Sequence, residues 1–347
     1  MERRTLILGA AGLGVTVACG GVGVPSESEV VTNARRRGRP DRDAGTEPDL
    51  TPDATPPKEP KGGKPTVEEP GSAPAQAATP RSDVAGAYLD LHDNVGGLER
   101  FAKLYIPTSY DGVTALPLVI GGHGGGGSPN RVAMDYGWKA RCEAEGWIGL
   151  FPFSGLPGRT DSTDNVFFEH LLKRVTGEFS VDRKRVWGVG FSGGGHRQYA
   201  FAAEHSEWVV AIAACGSAIR HTDSPKNEDP VNTGALPVSV LHIHGVADTS
   251  IPFKGGRVKS KGDVDRRVLP VREGLRPWVM NINGVESPGA RLPVGCPSDR
   301  GIRTVRWEGK GGHAVQLIAD PKLGHTWPHA YAVQTISGFF KSVPARS

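Results

Sequence analysis

Apolar positions are distributed unevenly along this chain of 347 residues. After an apolar run at 6–18, no residue before Tyr88 is aromatic. Beyond that point, short continuous apolar runs alternate with helically spaced ones. Leu116-Pro117-Leu118-Val119-Ile120, Val186-Trp187-Gly188-Val189, residues 209–214, Val238-Ser239-Val240-Leu241-His242-Ile243-His244 and Val315-Gln316-Leu317-Ile318 read as strands covered on both faces. Phe167, Phe168, Leu171, Leu172 and Val175 recur at helical spacing after a Thr163-Asp164 start. Further helices are expected at about 195–205 and over 331–343. Alternating strand and helix predicts an α/β fold with a doubly wound, mostly parallel sheet. A core needs large side chains, so the folding unit is expected to be 84–347, a length that suits one domain. There is no internal repeat.

The segment before it reads differently. Met1-Glu2-Arg3-Arg4, the apolar run and Cys19 have the order of an export signal over 1–19, and the run is short for a membrane span. Thr16-Val17-Ala18-Cys19 resembles a lipobox, which makes Cys19 a candidate for lipidation and a membrane anchor, with plain cleavage and secretion as the alternative. The arginine pair leaves the twin-arginine and general export routes both open. Residues 20–83 hold eleven of the 28 prolines among Ser, Thr, Asp and Glu. Such a composition buries too little apolar area to offset the ordering entropy, so it is expected to be a tether. The net charge of +4 is small, and Arg35-Arg36-Arg37-Gly38-Arg39 lies among acidic residues of this tether, so no nucleic-acid partner is expected. Cys142, Cys215 and Cys296 are an odd number once Cys19 is used. That count argues against a full disulfide framework, and Cys142 and Cys215 are expected in the core.

Candidate chemistry enters at Gly190-Phe191-Ser192-Gly193-Gly194, a G-x-S-x-G placed after one predicted strand and before a predicted helix. That context holds a serine hydroxyl exposed on a sharp turn. The five residues alone are weak in a glycine-rich chain, so partners must follow. A serine needs a base and a group that orients the base. Asp248 leaves the strand ending at His244, and His325 follows the last strand, in the chain order Ser, Asp, His. Gly121-Gly122-His123-Gly124-Gly125-Gly126-Gly127-Ser128 follows the strand at 116–120 and lets backbone approach a substrate closely. The amides of Gly125 and Gly193 are the expected oxyanion donors. Asp164 and Asn165 are expected to cap a helix. His242 and His244 alternate on a strand before Asp248, but Val246 stands where a zinc signature of that spacing has aspartate, so no metal is expected. No organic cofactor is required either.

These residues resemble the esterases that group polyhydroxybutyrate depolymerases with feruloyl and acetylxylan esterases (carbohydrate esterase family 1-like), including secreted lipoprotein members. The matching pieces are His123-Gly124 with its glycines, the stretch from Arg185 to Gly194, His244-Gly245-Val246-Ala247-Asp248 with Pro252-Phe253-Lys254-Gly255-Gly256, and Gly324-His325-Thr326-Trp327-Pro328. The resemblance implies an α/β-hydrolase fold and a Ser192, Asp248, His325 triad acting on carboxylic esters, and the span from Ser192 to Asp248 leaves room for a small lid or none. The substrates it implies are feruloyl or acetyl polysaccharide esters, short-acyl esters or a polyester. His123, His196 and Trp327 are expected to line the substrate cleft, and the polar segment 254–267 its rim. The chain departs from the family pattern at Val285, where a cysteine is common, at His329 and at His196. A serine peptidase with the same triad, and a surface-tethered binding protein without chemistry, are the alternative functions.

Overall fold

The computed structural model describes residues 80–154, 161–219, 229–259, 265–283 and 301–347, with the backbone of two short strands, Val15–Thr16 and Cys296–Pro297. The chain divides into one unit of residues 1–24 and 78–347 and another of 25–77, and the second lies outside the described residues, as does Cys19.

In chain order the first unit contains β1 (Val15–Thr16), β2 (Tyr88–Val95), β3 (Leu98–Tyr105), β4 (Leu116–Gly122), α1 (Trp138–Glu145) and β5 (Ile148–Pro152). Next come α2 (Asp161–Glu178), β6 (Val181–Phe191), α3 (Gly193–Glu204), β7 (Ala211–Cys215), α4 (Pro230–Thr233) and β8 (Ser239–Gly245). The chain continues with β9 (Gly256–Lys259), β10 (Asp265–Val268), α5 (Val271–Asn283), β11 (Cys296–Pro297), β12 (Arg303–Glu308), β13 (Ala314–Asp320) and α6 (Ala332–Ser342). The main sheet has the order β1-β12-β13-β8-β7-β6-β4-β5-β3-β2, with β11 beside β12. The strands from β13 to β5 run parallel, and the pairs outside them are antiparallel.

Strand alternation sends side chains to the two faces in turn. Leu118, Ile120, Ile212, Ala214 and Val240 join Phe167, Leu171, Tyr199, Phe201 and Trp278 of α2, α3 and α5 in one buried layer. Val119, Trp187, Ala213, Leu241 and Ile243 join Trp138, Cys142, Phe339 and Phe340 of α1 and α6 in the other. Cys142 and Cys215 are buried free thiols, and burial pushes both up. The sheet is therefore covered on both faces, the doubly wound arrangement that the apolar runs predict.

Differences from the predicted elements have local causes. β6 starts at Val181 rather than 186, and the residues between, Asp182-Arg183-Lys184-Arg185, are polar, the last three exposed, so they give no apolar run. α2 starts at Asp161, ahead of Thr163. The folded body starts earlier than residue 84: the Arg81 amide donates to the Glu178 carbonyl at 3.1 Å, while Val84 is buried. The segment 254–267 contains the hairpin β9–β10, and residues 260–264 within it lie outside the described residues. No described helix is long and apolar enough to cross a membrane.

Candidate active site

Parallel register brings the carboxyl ends of β4, β6, β8 and β13 to one edge of the sheet, and the residues singled out in the sequence leave from those ends. Ser192 follows β6 at φ 53° and ψ −123°, the only non-glycine residue with positive φ among those described. Such a backbone is costly for a residue with a Cβ and is held only where its surroundings over-determine it. Here they do. A Cβ on Gly190 would overlap the Gly194 peptide, and a Cβ on Gly194 would overlap the Gly122 carbonyl, so the turn closes onto β4 only with glycine at both places. The Ser192 amide is fixed from the other side by the Cys215 carbonyl at 2.9 Å.

Ser192, His325 and Asp248 meet in one hydrogen-bonded line. Ser192 Oγ is 3.0 Å from His325 Nε2, and His325 Nδ1 is 2.8 Å from Asp248 Oδ2. A carboxylate only accepts, so Nδ1 carries the imidazole proton and Nε2 is left to receive one from the serine. The Asp248 side chain is wholly buried whereas that of His325 is 23% exposed, so the line opens to solvent at the serine and histidine end. Burial on its own would push the Asp248 carboxyl up. The hydrogen bond from His325 and the Ile251 amide outweigh it and hold the group below its usual range, hence ionised at neutral pH. The amides of Ser250 and Ile251 both donate to Asp248 Oδ1 at 2.8 Å. Gly216, at φ 52° after β7, sits beside the Asp248 and His325 side chains, where the chain passes them closely.

The glycine loop after β4 lies against this line. A Cβ on Gly124 would stand 3.4 Å from the Ser192 Cβ, and a Cβ on Gly193 would stand 3.8 Å from the Gly125 amide nitrogen. Nothing lies within 4 Å of where a Gly125 Cβ would be, so that face of the loop is open. Gly193 begins α3, and the first amides of a helix have no intrahelical partner. The glycine loop and the first turn of α3 therefore come close together next to Ser192.

Several residues take other places than the sequence reading assigns. Trp327 does not line the cleft: it is 3% exposed and stacks on Tyr136 with ring centroids 4.6 Å apart, because the chain after His325 turns its next bulky side chain inward. His196 is also buried, one turn into α3, with Nδ1 against the Ala218 carbonyl at 3.3 Å. His123 lies under the glycine loop rather than on the cleft surface. Its Nδ1 donates to the Gly124 carbonyl at 2.8 Å and its Nε2 accepts from the Ser154 amide at 3.2 Å, and burial lowers its pKa. Asp164 and Asn165 do not cap α2. Asp164 lies in its first turns, wholly buried, and takes Arg100 at 2.6 Å and Arg197 as partners, while Asn165 donates to Glu204 at 2.6 Å. Arg197 in turn reaches the Gly193 carbonyl at 3.2 Å, which ties this ion cluster to the start of α3. Neither Gly216 nor the Arg100, Asp164, Arg197 cluster carries a sequence signal, since each depends on contacts between distant elements. The ligand atoms of Glu169, His205 and Glu207 lie within 4.8 Å of one another, apart from the Ser192 line in residue membership, and Glu169 is already paired with Lys173 at 2.9 Å.

Sheet order, elbow and hydrogen-bonded line together define an α/β-hydrolase. No family model matches the chain. The putative esterase NocK of Nocardia uniformis subsp. tsuyamanensis is 30% identical over 319 residues, 82% of this chain and 85% of its own length. A probable feruloyl esterase C of Aspergillus clavatus is 29% identical over 195 residues, 53% of this chain and 67% of its own. The bifunctional acetylxylan esterase/xylanase XynS20E of Neocallimastix patriciarum is 24% identical over 221 residues, 62% of this chain, and the matched part spans only 31% of that enzyme. Among solved structures, an S-formylglutathione hydrolase from Agrobacterium tumefaciens superimposes with a TM-score of 0.50 at 14% identity, covering 76% of this chain and 98% of that one, a likeness of fold. The chain belongs to the esterase family that includes feruloyl and acetylxylan esterases, and it is a carboxylic-ester hydrolase.

Proposed function

We propose that Ser192, His325 and Asp248 are the nucleophile, general base and orienting acid of an esterase acting on feruloyl, acetyl or other short-acyl esters. The observation that carries the reading is the line from Ser192 Oγ through His325 to Asp248 Oδ2, with contacts of 3.0 and 2.8 Å, starting from a serine on a positive-φ turn. His325 Nε2 takes the Ser192 proton as Oγ bonds to the ester carbonyl carbon. The carbonyl oxygen becomes an oxyanion facing the Gly125 and Gly193 amides. Collapse of the intermediate breaks the bond to the alkoxy oxygen, which leaves as the alcohol with the proton from His325. Water then attacks the acyl-serine with His325 again as base, releasing the acid and restoring Ser192.

A fluorophosphonate probe should label the folded protein at Ser192, and Ser192→Ala should abolish both labelling and ester turnover. A panel of feruloyl, acetyl and short-acyl aryl esters, a matched anilide and a polyhydroxybutyrate film then ranks substrates. Turnover of the soluble esters is the expected result. Faster anilide cleavage would make it a peptidase, and film clearing without soluble-ester turnover would make it a depolymerase. An unlabelled, inactive protein would leave only the binding role.

For placement in the cell we propose export by residues 1–19, lipidation at Cys19, a tether from residue 20 to about residue 80 and a catalytic domain that starts at Arg81, ahead of the residue 84 expected from the sequence. Composition supports this reading. Cys19→Ser should move the protein from the membrane fraction to the soluble fraction of its host, and an unchanged distribution would remove the anchor.

A further inference from the structure

Behind Asp248 a line of buried polar groups runs into the core. Alternation along β8 places His242 and His244 on the same face as Val240, the face covered by α3 and α5. Both histidines are wholly buried. Tyr199 of α3, equally buried, has its hydroxyl 2.8 Å from His242 Nδ1. His242 Nε2 is 2.9 Å from His244 Nδ1, and His244 Nε2 is 2.9 Å from the Ile251 carbonyl oxygen. Three buried polar side chains in series, inside an apolar layer, call for an explanation beyond filling space.

The protons in this line have one low-energy arrangement. A carbonyl oxygen only accepts, so His244 Nε2 carries a proton. If His244 Nδ1 carried one as well, the ring would be an imidazolium buried in the core, and burial opposes that charge: it lowers the pKa of His244, and lowers that of His242 further, with the neighbouring imidazole adding to it. His244 Nδ1 is then a lone pair that accepts from His242 Nε2–H, and His242 Nδ1 is a lone pair that accepts the Tyr199 hydroxyl proton. Both rings are neutral, with protons on Nε2, and each nitrogen has its partner.

The line ends on the residue that holds the acid. Ile251 accepts from His244 through its carbonyl and donates through its amide to Asp248 Oδ1 at 2.8 Å. His244 Nε2 itself is 3.6 Å from Asp248 Oδ2, too far for a direct hydrogen bond. Its hold on the carboxylate thus passes through the Ile251 backbone, with Phe253 against the His244 ring at a centroid distance of 5.7 Å. We propose that Tyr199, His242 and His244 form a buried strut of fixed proton direction that positions Asp248, and through it His325, with His244 the positioning residue on which the others bear. This rests on the assignment of Ser192, His325 and Asp248 made above.

Phenylalanine at 244 keeps the ring and removes the donor to Ile251. His244→Phe should lower kcat by about 10²-fold with KM within roughly twofold, as expected when a reacting group is misplaced by a fraction of an ångström. It should slow fluorophosphonate labelling of Ser192 by a similar factor. His244→Gln, whose amide nitrogen stands where Nε2 does, should recover most of both rates. Tyr199→Phe, at the far end, should cost less than about threefold in kcat. Where a variant does not fold, the wild type still decides: two-bond proton–nitrogen correlation spectra should show both histidines neutral with the proton on Nε2. A proton on Nδ1 of either ring, or His244→Phe labelled and turning over at the wild-type rate, overturns the strut while leaving the triad standing. Absence of Ser192 labelling in the wild type overturns the triad instead.

Discussion

Ser192 can be tested without disturbing its surroundings, because among the described residues its side chain hydrogen-bonds to His325 alone. Ser192→Ala should lower kcat by several orders of magnitude and leave the fold intact, since only binding and the backbone donors remain. Retention of more than about a tenth of kcat would remove Ser192 from its role. Asp164 is the opposite case. Its side chain is wholly buried and that of Arg100 is 1% exposed, so removing the carboxylate takes the counter-charge from a buried guanidinium. Asp164→Ala should destabilise the protein by roughly 3 kcal/mol or more. It should also lower turnover, because Arg197, which spans Asp164 and the Gly193 carbonyl, loses its anchor. Denaturant midpoints check the first effect, and an unchanged midpoint would mean the cluster is not holding α2 to α3.

At the level of elements, what the sequence reveals depends on whether a pattern is local. Parallel strands buried on both faces are continuous apolar runs, so β4, β7, β8 and β13 are visible with errors of a residue or two. The polar half of β6 and the hairpins β2–β3 and β9–β10 carry no such run and escape the reading. Ser192, Asp248 and His325 are legible because each follows a strand in the order that the chemistry requires. The strut and the Arg100 cluster are not, since Tyr199 and His242 are 43 positions apart and meet only when α3 lies across β8. Trp327 shows how adjacency in sequence misleads: it stands two residues from His325 and is buried in a stack with Tyr136. Trp327→Ala should therefore act on stability, by about 3 kcal/mol or more. It should change KM for acetyl and aromatic acyl esters alike. A rise in KM confined to aromatic acyl esters, at unchanged melting temperature, would return Trp327 to the cleft.

For the whole molecule, among the described residues, the buried His123, His242 and His244 and the half-buried His313 have lowered pKa, in each case chiefly through burial. In the unfolded chain such groups take up protons below about pH 6.5. The folded protein resists until the lower values are reached, so the unfolded state binds more protons in that window. Stability should be full above about pH 6.5 and fall on acidification, by up to about 1.4 kcal/mol per pH unit for each proton. The lowered pKa of Asp248 adds stability that is lost only in a more acidic window, below about pH 4. Melting temperatures measured from pH 7 to 5 check this, and a flat profile would show that the imidazoles are not held neutral. Deleting residues 25–77 should leave melting temperature and turnover of a soluble ester unchanged, because that stretch contains no aromatic residue and is rich in proline and charge. A lower melting temperature after deletion would show that this segment packs.

The unusual backbone at Ser192 has a further consequence for evolution under selection for stability. A residue with a Cβ at φ 53° raises the energy of the folded state by roughly 1–3 kcal/mol, whereas glycine takes that conformation freely. Glycine also gains about 0.4–1 kcal/mol of freedom in the unfolded chain, which offsets part of the relief. Ser192→Gly should still be more heat-stable than Ser192→Ala, and more stable than the active enzyme. The most stable sequence for this turn is then an inactive one, and serine persists there only while ester hydrolysis is required.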